Sequence, residues 1–341
     1  GLGMRWVHRV MTGAAFAGTA AFMAHSAKAQ SLVVKDVPDT QIDLPFETVL
    51  SRAHPDFDPI GYQAGPWRLN AGVDLRTAYD SNPTALPTGA RDDGLAEVAP
   101  SAELTGNWGD HGVRLSVDSA LGFYFKDGQQ DYRNVDSRVF GYFQTAENQQ
   151  LNAQFRYRRV RQPRDDPDDD LLARTPVYSI PEATLAYTSD VGRLRYRLQG
   201  RYSWMRVGDS RFGNGVARSN ADRDRDIATF GATVSYGNGD WPRLYASALA
   251  AHNAYVLPVD RSGFNRDGWQ ITALAGVQVA FGPLVALDAA AGVSRFNFAS
   301  NALPDRTKLA FRAGLTWSAT PLLTVNVKAE RLTGPTSLIG A

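Results

Sequence analysis

Arginines at alternate positions are the feature of this sequence with the clearest chemistry. Between residues 193 and 204, Arg and Gln side chains alternate with Leu, Tyr and Trp side chains. Neighbouring side chains of a β-strand point to opposite faces, so this segment would present one basic face and one apolar face. Rings of Arg and Lys select anions in membrane pores. The pattern therefore indicates a strand that carries an anion-attracting surface.

The same alternation places further basic residues in phase with these arginines. If the apolar face of each strand lies outside, acids of the same phase include Asp74, Asp118, Glu182 and Glu330. Two interpretations remain open: an electropositive conduit that favours anions, or a network in which arginines pair with acids across strands. The predicted lining residues are Arg68, Arg76, Arg114, Arg156, Arg158, Arg193, Arg195, Arg197, Arg201, Arg312 and Lys328.

Long alternating segments are the elements that must position these residues. The clearest is Trp67–Tyr79, which is longer than the ~5–6 residues of most strands and close to the ~9–11 residues that cross a bilayer. We predict thirteen strands in all. They are Trp67–Tyr79, Gly94–Gly106, Val113–Phe125, Tyr132–Thr145, Leu151–Arg158, Val177–Thr188, Arg193–Trp204, Ile227–Tyr236, Arg243–Tyr255, Trp269–Phe281, Leu284–Phe298, Thr307–Trp317 and Leu323–Ala329.

The connections between these strands alternate between short turns and mostly longer loops. This alternation is typical of outer-membrane barrels, whose periplasmic turns are short and whose extracellular loops are long. Aromatic residues fall near both ends of the strands, where interfacial girdles are expected. The sequence therefore predicts an all-β fold, a transmembrane antiparallel up-and-down β-barrel of the bacterial outer membrane. A soluble all-β protein is the alternative.

The strand number raises a question about the barrel's completeness. Bacterial single-chain barrels have an even number of strands, and sheet edges cannot face lipid. We therefore expect the chain to be truncated at its C-terminus, from a barrel of about 16–18 strands. In the alternative interpretation, Ser31–Val34 supplies one more strand and closes a fourteen-stranded barrel.

The N-terminus resembles a secretory signal. Arg5 and Arg9 precede a small, apolar stretch, and Ala27-Lys28-Ala29 fits a small-x-small cleavage site. We expect residues 1–29 to be removed, residues 30–66 to form a Pro-rich periplasmic arm, and residues 67–341 to form the incomplete barrel.

Composition and spacing give little support to catalysis. The chain has no Cys, which excludes disulfides and thiolate chemistry. The formal net charge is only +1, and we expect neither a nucleic-acid partner nor a cofactor. No metal-binding His spacing occurs. His252 is the only histidine placed for a barrel hydrolase, and a lone strand histidine is more commonly a pore or interface residue.

An acidic run in 161–170 is the sharpest local feature. Carboxylate oxygens are ligands for hard cations such as Ca²⁺, so a divalent-cation site is one interpretation. The other is a solvated loop, which the interrupting Pro167 and the absence of a turn glycine favour. The candidate ligands are Asp165, Asp166, Asp168, Asp169 and Asp170.

Residues 51–82 resemble the opening of the putative beta-barrel porin 2 family. That family has an Arg-x-x-Pro stretch, an aromatic-Asp-Pro-Leu-Gly segment, a glycine before the first strand and a Tyr-Asp-x-Asn end. Ile60 replaces the usual Leu here, and a Pro-Ser-Leu entry to the strand is missing. The matching residues are Arg52, Pro55, Phe57, Asp58, Pro59, Gly61, Gly65, Tyr79, Asp80 and Asn82.

The resemblance implies an outer-membrane barrel, often associated with exopolysaccharide export, and no catalytic residues. The expected partners are outer-membrane lipid and lipopolysaccharide, the barrel-assembly machinery and polysaccharide-export components, in a Gram-negative bacterium. The first functional hypothesis is porin-like passage of hydrophilic solutes, including anions or polysaccharide. The alternatives are a non-conducting barrel that anchors an envelope complex and an outer-membrane hydrolase.

Overall fold

The computed structural model describes residues 60–86, 88–164, 174–212, 214–237, 242–320 and 322–331. Most of them lie in long β-strands. The strands, in chain order, are β1 (Tyr62–Ala64), β2 (Trp67–Asp80), β3 (Asp93–Asn107), β4 (His111–Tyr124), β5 (Tyr132–Ala146), β6 (Gln149–Arg161), β7 (Val177–Val191), β8 (Leu194–Val207), β9 (Ser210–Arg211), β10 (Ala217–Arg218), β11 (Arg225–Tyr236), β12 (Arg243–Tyr255), β13 (Gly268–Phe281), β14 (Val285–Phe298), β15 (Arg306–Thr320) and β16 (Leu323–Arg331).

The strands form one antiparallel up-and-down sheet. Its order follows the chain from β1 to β8 and then from β11 to β16, and β9 and β10 make a separate two-stranded hairpin. Within the described residues, the sheet thus contains the thirteen predicted long strands plus the three-residue β1. The fold class and the strand positions are confirmed. Several strands are longer than predicted, most clearly β6, which begins at Gln149 and ends at Arg161.

The end of the expected N-terminal arm joins the sheet. Residues 62–64 pair with β2, with Ala64 opposite Trp67. The turn between them contains Gly65 at a φ of +59°, a left-handed conformation that favours glycine. The expected signal segment and residues 30–59 of the arm, which include Ser31–Val34, lie outside the described residues.

The sheet has two free edges in the described part of the chain. β16 pairs with β15, β1 pairs with β2, and no pairing joins the two edges. Among the same residues, no helix is long and apolar enough to cross a bilayer.

Buried and exposed side chains alternate along the strands, but the exposed ones are mostly apolar, which is the reverse of a soluble protein. On β11, Phe230 is 57% exposed and its neighbour Thr229 only 6%. On β12, Leu244 is 55% exposed and Ser247 only 4%. Most large apolar side chains of these strands are therefore exposed, and the buried face carries polar side chains together with a few apolar ones such as Ile227 and Leu249. We call the two surfaces of the sheet the polar face and the apolar face.

Short turns and long loops lie at opposite ends of the sheet. The turn between β7 and β8 contains only two residues, and Gly192 adopts a φ of +60° there, as the first position of a type II′ hairpin turn requires. The long connections are partly folded. Asn220, for example, donates through Nδ2 to the carbonyl oxygen of Gly208 and to Oγ of Ser210, both at 2.8 Å.

Aromatic contacts mark both rims of the apolar face. At the short-turn end, the ring centroids of Trp67 and Trp108 are 5.1 Å apart. At the long-loop end, the centroids of Tyr202 and Trp204 are 4.8 Å apart. Two aromatic girdles that flank an exposed apolar band are the surface of a membrane barrel.

Candidate pore-lining surface

Strand register connects the predicted lining residues across the sheet. Side chains of directly paired residues share one face. Arg68 pairs with Thr105, and Thr105 pairs with Arg114; the same ladder continues through every strand to β16. Ten of the eleven predicted lining residues therefore lie on the polar face. They are Arg68, Arg76, Arg114, Arg156, Arg158, Arg195, Arg197, Arg201, Arg312 and Lys328.

Arg193 is the exception, because the structure does not place it on the polar face. It lies in the turn before β8. Its guanidinium carbon is 5.4 Å from the centroid of the Tyr236 ring, and Tyr236 belongs to the apolar face because it pairs with Leu194. The alternation of the strand ends at the turn, so the phase of Arg193 no longer determines its direction.

Five further basic residues share the polar face and were absent from the sequence prediction. Their phase in the register assigns them to it: Arg138, Arg225, Arg243, Arg306 and Lys308. Strand phase could have found Arg138, Arg243 and Lys308, which lie within predicted strands. Arg225 and Arg306 lie just before the predicted starts of their strands.

Acids accompany these bases but are fewer in the described strands. The polar face of these strands carries fifteen basic and eleven acidic residues, a surplus of four positive charges. The acids are Asp74, Asp80, Asp93, Glu97, Glu103, Asp118, Asp136, Glu182, Asp190, Asp288 and Glu330.

At the centre of the polar face, two arginines contact one aspartate, and a third arginine nearby makes no such contact. Arg156 makes a two-pronged contact with Asp136, with Nε 2.8 Å from Oδ1. Arg138 also reaches Asp136, at 3.4 Å. Arg158 pairs with Asp136 in the strand register, but its guanidinium has no hydrogen bond or ion pair with any described residue, and its Nε is buried. This arginine contributes to the positive surplus.

Glu182 on β7 connects two strands of the same surface. Its Oε2 accepts a hydrogen bond from Oγ of Ser203 at 3.1 Å and lies 3.9 Å from Nε of Arg201. Both contacts cross to β8, so the acid ties the two strands together and lowers the positive potential around it.

A second network joins β12, β14 and β15. Oη of Tyr245 donates to Oδ1 of Asp288 at 2.8 Å and accepts from Nη2 of Arg312 at 3.0 Å. Nε of Arg312 lies 3.1 Å from Oδ2 of Asp288, an ion-pair distance at an angle outside the hydrogen-bond range. Asp288 is 1% exposed. The three groups therefore form a buried, charge-compensated unit.

Glycine on the intervening strand makes this network possible. A Cβ on Gly276 would lie 2.5 Å from Cζ of Tyr245, so only a glycine lets the Tyr245 ring cross β13. The same arrangement recurs near the other end of the sheet, where the Tyr132 ring crosses Gly122 and its hydroxyl donates to Glu97. Sequence phase identified the strands but not these contacts, which depend on partners two strands away.

The polar face of β2, β3 and β4 is more open. Arg114 lies 3.6 Å from Glu103, and both side chains are largely exposed. Arg76 has no ion-pair partner among the described residues. A concavity of about 760 Å³ lies on this surface between Asn70 and Gln154. Water and a small solute can reach these arginines.

His252, the candidate residue for a hydrolase, lies on the apolar face. It pairs with Trp269 in the register, and the two ring centroids are 4.7 Å apart. The side chain therefore belongs to the aromatic girdle rather than to the polar surface. The acidic candidates Asp165, Asp166, Asp168, Asp169 and Asp170 lie outside the described residues.

Comparison with known families agrees with this geometry. The sequence model of one family, putative beta-barrel porin 2, matches residues 54–341. The chain belongs to this family. Membership places it in a class of outer-membrane β-barrel proteins. No curated protein is significantly similar in sequence to the chain.

The family-motif residues that the structure describes frame the first long strand. Gly61 has a φ of +71° and lies against β2. At the other end, Oδ1 of Asp80 accepts a hydrogen bond from the backbone N–H of Asn82 at 2.9 Å, and Asn82 makes two hydrogen bonds with the backbone of Leu86. Tyr79 is 72% exposed on the apolar face. Arg52, Pro55, Phe57, Asp58 and Pro59 lie outside the described residues.

Proposed function

We propose that the chain forms a water-filled outer-membrane pore for hydrophilic solutes, with a preference for anions. The observation that carries this proposal is the surplus of basic side chains on the polar face. A positive excess in a low-dielectric channel raises the local concentration of anions and lowers that of cations. Localisation in a Gram-negative outer membrane, after insertion by the barrel-assembly machinery, is part of the same proposal.

The open region supports passage more than the rest of the sheet does. We define it as the polar face of β2, β3 and β4. Arg68, Arg76 and Arg114 are exposed there, so their charge can act on a passing ion. The acids listed above outnumber the bases in this region, and the positive surplus of the polar face comes from β8, β11, β12 and β15. Arginines that lie in closed networks, such as Arg312 beside Asp288, are largely neutralised by their partners.

Reversal potentials in planar bilayers test the proposal. The refolded full chain is recorded in a KCl gradient, and we expect the potential to have the sign of a channel that prefers Cl⁻. Cation preference would contradict the anion part of the proposal. Absence of any conductance would contradict passage and would support a non-conducting, anchoring barrel.

A matched pair of variants assigns the selectivity to the polar face. Arg76→Gln removes one charge from the open region and should shift the reversal potential towards that of a cation-preferring channel. Arg295→Gln removes the same charge from the apolar face, where Arg295 lies 3.5 Å from Asp305, and should leave the potential unchanged. Equal shifts would show that the selectivity arises from net charge and not from the lining.

Polysaccharide passage is the finer form of the proposal. An anion-attracting lumen would accept an acidic polysaccharide more readily than a neutral one. Addition of an acidic polysaccharide to one side of the bilayer should cause transient current block, and a neutral polysaccharide of similar length should cause less. Equal block by both would contradict selection by charge.

A further inference from the structure

Basic side chains also occur on the apolar face, at its long-loop end. Arg159 on β6 pairs with Ser179 on β7, and Ser179 pairs with Arg206 on β8. Arg133 lies on β5, two residues from Val135, the register partner of Arg159. These arginines of β5, β6 and β8 therefore lie at the same rim of the lipid-facing surface.

Two of these arginines have no acidic partner among the described residues. Arg133 and Arg159 are exposed. Nη1 of Arg159 donates to the carbonyl oxygen of Arg133 at 3.1 Å, which holds the two residues next to each other. Arg206 differs, because its Nη1 lies 2.7 Å from Oδ1 of Asp226.

The surroundings place this pair at the boundary between hydrocarbon and headgroups. Tyr157 lies two residues before Arg159, on the same face of β6. Its hydroxyl accepts a hydrogen bond from Oγ of Ser179 at 3.2 Å. Two residues before Tyr157 lies Phe155, which is 49% exposed. The surface thus changes from apolar through hydroxyl-bearing to basic over five residues of a single strand, as membrane proteins do at an interface.

We propose that Arg133 and Arg159 bind a phosphate group of a lipid A-type glycolipid in the outer leaflet. Guanidinium groups bind phosphate in a two-pronged, charge-assisted geometry. The long-loop end of such a barrel faces the cell exterior, where the leaflet consists of phosphorylated glycolipid. The hydroxyls of Tyr157 and Ser179 lie beside the arginines and fit the sugar that carries the phosphate. This site is separate from the proposed conduction, and it rests on the membrane-barrel fold and on the proposed location in a Gram-negative outer membrane.

Thermal unfolding in vesicles of defined composition tests the site. The full chain is refolded in phosphatidylcholine vesicles with or without diphosphoryl lipid A. A ligand that binds only the folded state stabilises it, so lipid A should raise the unfolding temperature of the wild type. Arg133→Gln/Arg159→Gln should lose this increase, with an affinity for lipid A reduced roughly tenfold or more.

Three comparisons make the outcome decisive. Arg206→Gln/Asp226→Asn is the matched control at the same rim and should keep the increase. Dephosphorylated lipid A should give none, and inorganic phosphate alone should give none. Three results would each overturn the proposal. They are a full increase in the Arg133→Gln/Arg159→Gln variant, an increase with dephosphorylated lipid A, and an increase with phosphate ion alone.

A conservative variant guards against loss of folding. Arg133→Lys/Arg159→Lys keeps both charges but loses the planar fork, and we expect it to fold and to bind lipid A with an affinity between those of the wild type and the Gln variant. Affinity equal to that of the wild type would contradict two-pronged binding. Conductance in pure phosphatidylcholine should be unchanged in every variant, so failure of this site and failure of the pore are distinguishable.

Discussion

The polar face differs in exposure between the first strands of the sheet and its later strands. In the open region of β2, β3 and β4, charged side chains such as Arg68, Asp74 and Arg76 are exposed. On the polar face of β12, β13, β14 and β15, which we call the packed region, Thr272 and Ser294 are each 1% exposed. The packed region also has many small residues, Ala, Ser, Thr and Gly, on its polar face.

The difference shows that one alternating pattern can serve two purposes. The open region leaves its charges in water, where each is worth little to stability but can act on a solute. The packed region buries Asp288 and most of Arg312, and buried charges must be compensated within the protein. We expect substitutions in the packed region to affect stability and substitutions in the open region to affect selectivity.

The largest effect should follow loss of a buried partner. Arg312→Met leaves the carboxylate of Asp288 buried without its cation, and we expect a loss of about 3–5 kcal/mol of unfolding free energy. Arg114→Met breaks the exposed pair with Glu103 and should cost less than about 1 kcal/mol. Urea unfolding in lipid vesicles, followed by tryptophan fluorescence, measures both. Equal losses would refute the distinction between the two regions.

Glycine substitutions should show the same contrast at a smaller scale. An added Cβ at Gly276 would meet the Tyr245 ring at 2.5 Å, so Gly276→Ala should cost about 1–3 kcal/mol through overpacking. At Gly72, the nearest atom would be Oγ of Ser101 at 3.6 Å, an ordinary contact. Gly72→Ala should be close to neutral in the same unfolding assay. A neutral Gly276→Ala would mean that the ring moves freely.

The two tyrosines that cross a glycine offer a finer comparison. Tyr245→Phe removes a hydrogen bond to a buried carboxylate, and we expect a loss of about 1–3 kcal/mol. Tyr132→Phe removes the corresponding bond to Glu97, which is only partly buried, and should cost about 0.5–1.5 kcal/mol. The reverse order would indicate that burial of the acid does not set the cost. Both values come from unfolding free energies.

The smallest effects should come from loop carboxylates at low pH. The Lys126 ammonium, 3.0 Å from Asp92, lowers the pKa of that carboxyl below 3.8. Burial acts to raise the pKa of Asp260, but hydrogen bonds from Arg266 and the backbone N–H of Phe264 outweigh it, and its pKa is also below 3.8. A carboxyl with a lowered folded pKa stabilises fully above its unfolded value and less as pH falls through the folded one.

Pepsin cleavage across pH 2 to 5, with the protein in vesicles, measures these loops. We expect both loops to become more susceptible only below about pH 4. Added salt should weaken the exposed ion pair of Asp92 and Lys126 much more than the buried ion pair of Asp260 and Arg266. Greater susceptibility at pH 5 than at pH 3, relative to the cleavage of an unfolded substrate by pepsin at each pH, would have the wrong sign.

Much of the fold could be predicted from sequence, because the strand signal is local. Alternation over ten or more residues fixes both the strand and its face, which is why β12 has the predicted bounds, Arg243–Tyr255. The three-residue β1 was missed because its segment has no period and its strand forms only by pairing with β2. The β9–β10 hairpin was missed for the same reason.

The candidate site could be predicted only in part. Phase predicted the face on which the register places Arg158 and Arg201, but not the position of Arg193, which lies in a turn. The contact of Tyr245 with Asp288 joins residues 43 positions apart and depends on Gly276 between them. Such contacts require the register of several strands, and no local pattern encodes that register.

Cysteine labelling tests the central claim that polar and apolar faces alternate around a water-filled interior. The chain has no Cys, so each introduced thiol reports one position. In vesicles, a charged maleimide should label cysteines at Asn70 and Asp74 on the polar face of β2, and should label cysteines at Leu69 and Val73 much more slowly. Uniform labelling along the strand, or the reverse alternation, would contradict the account.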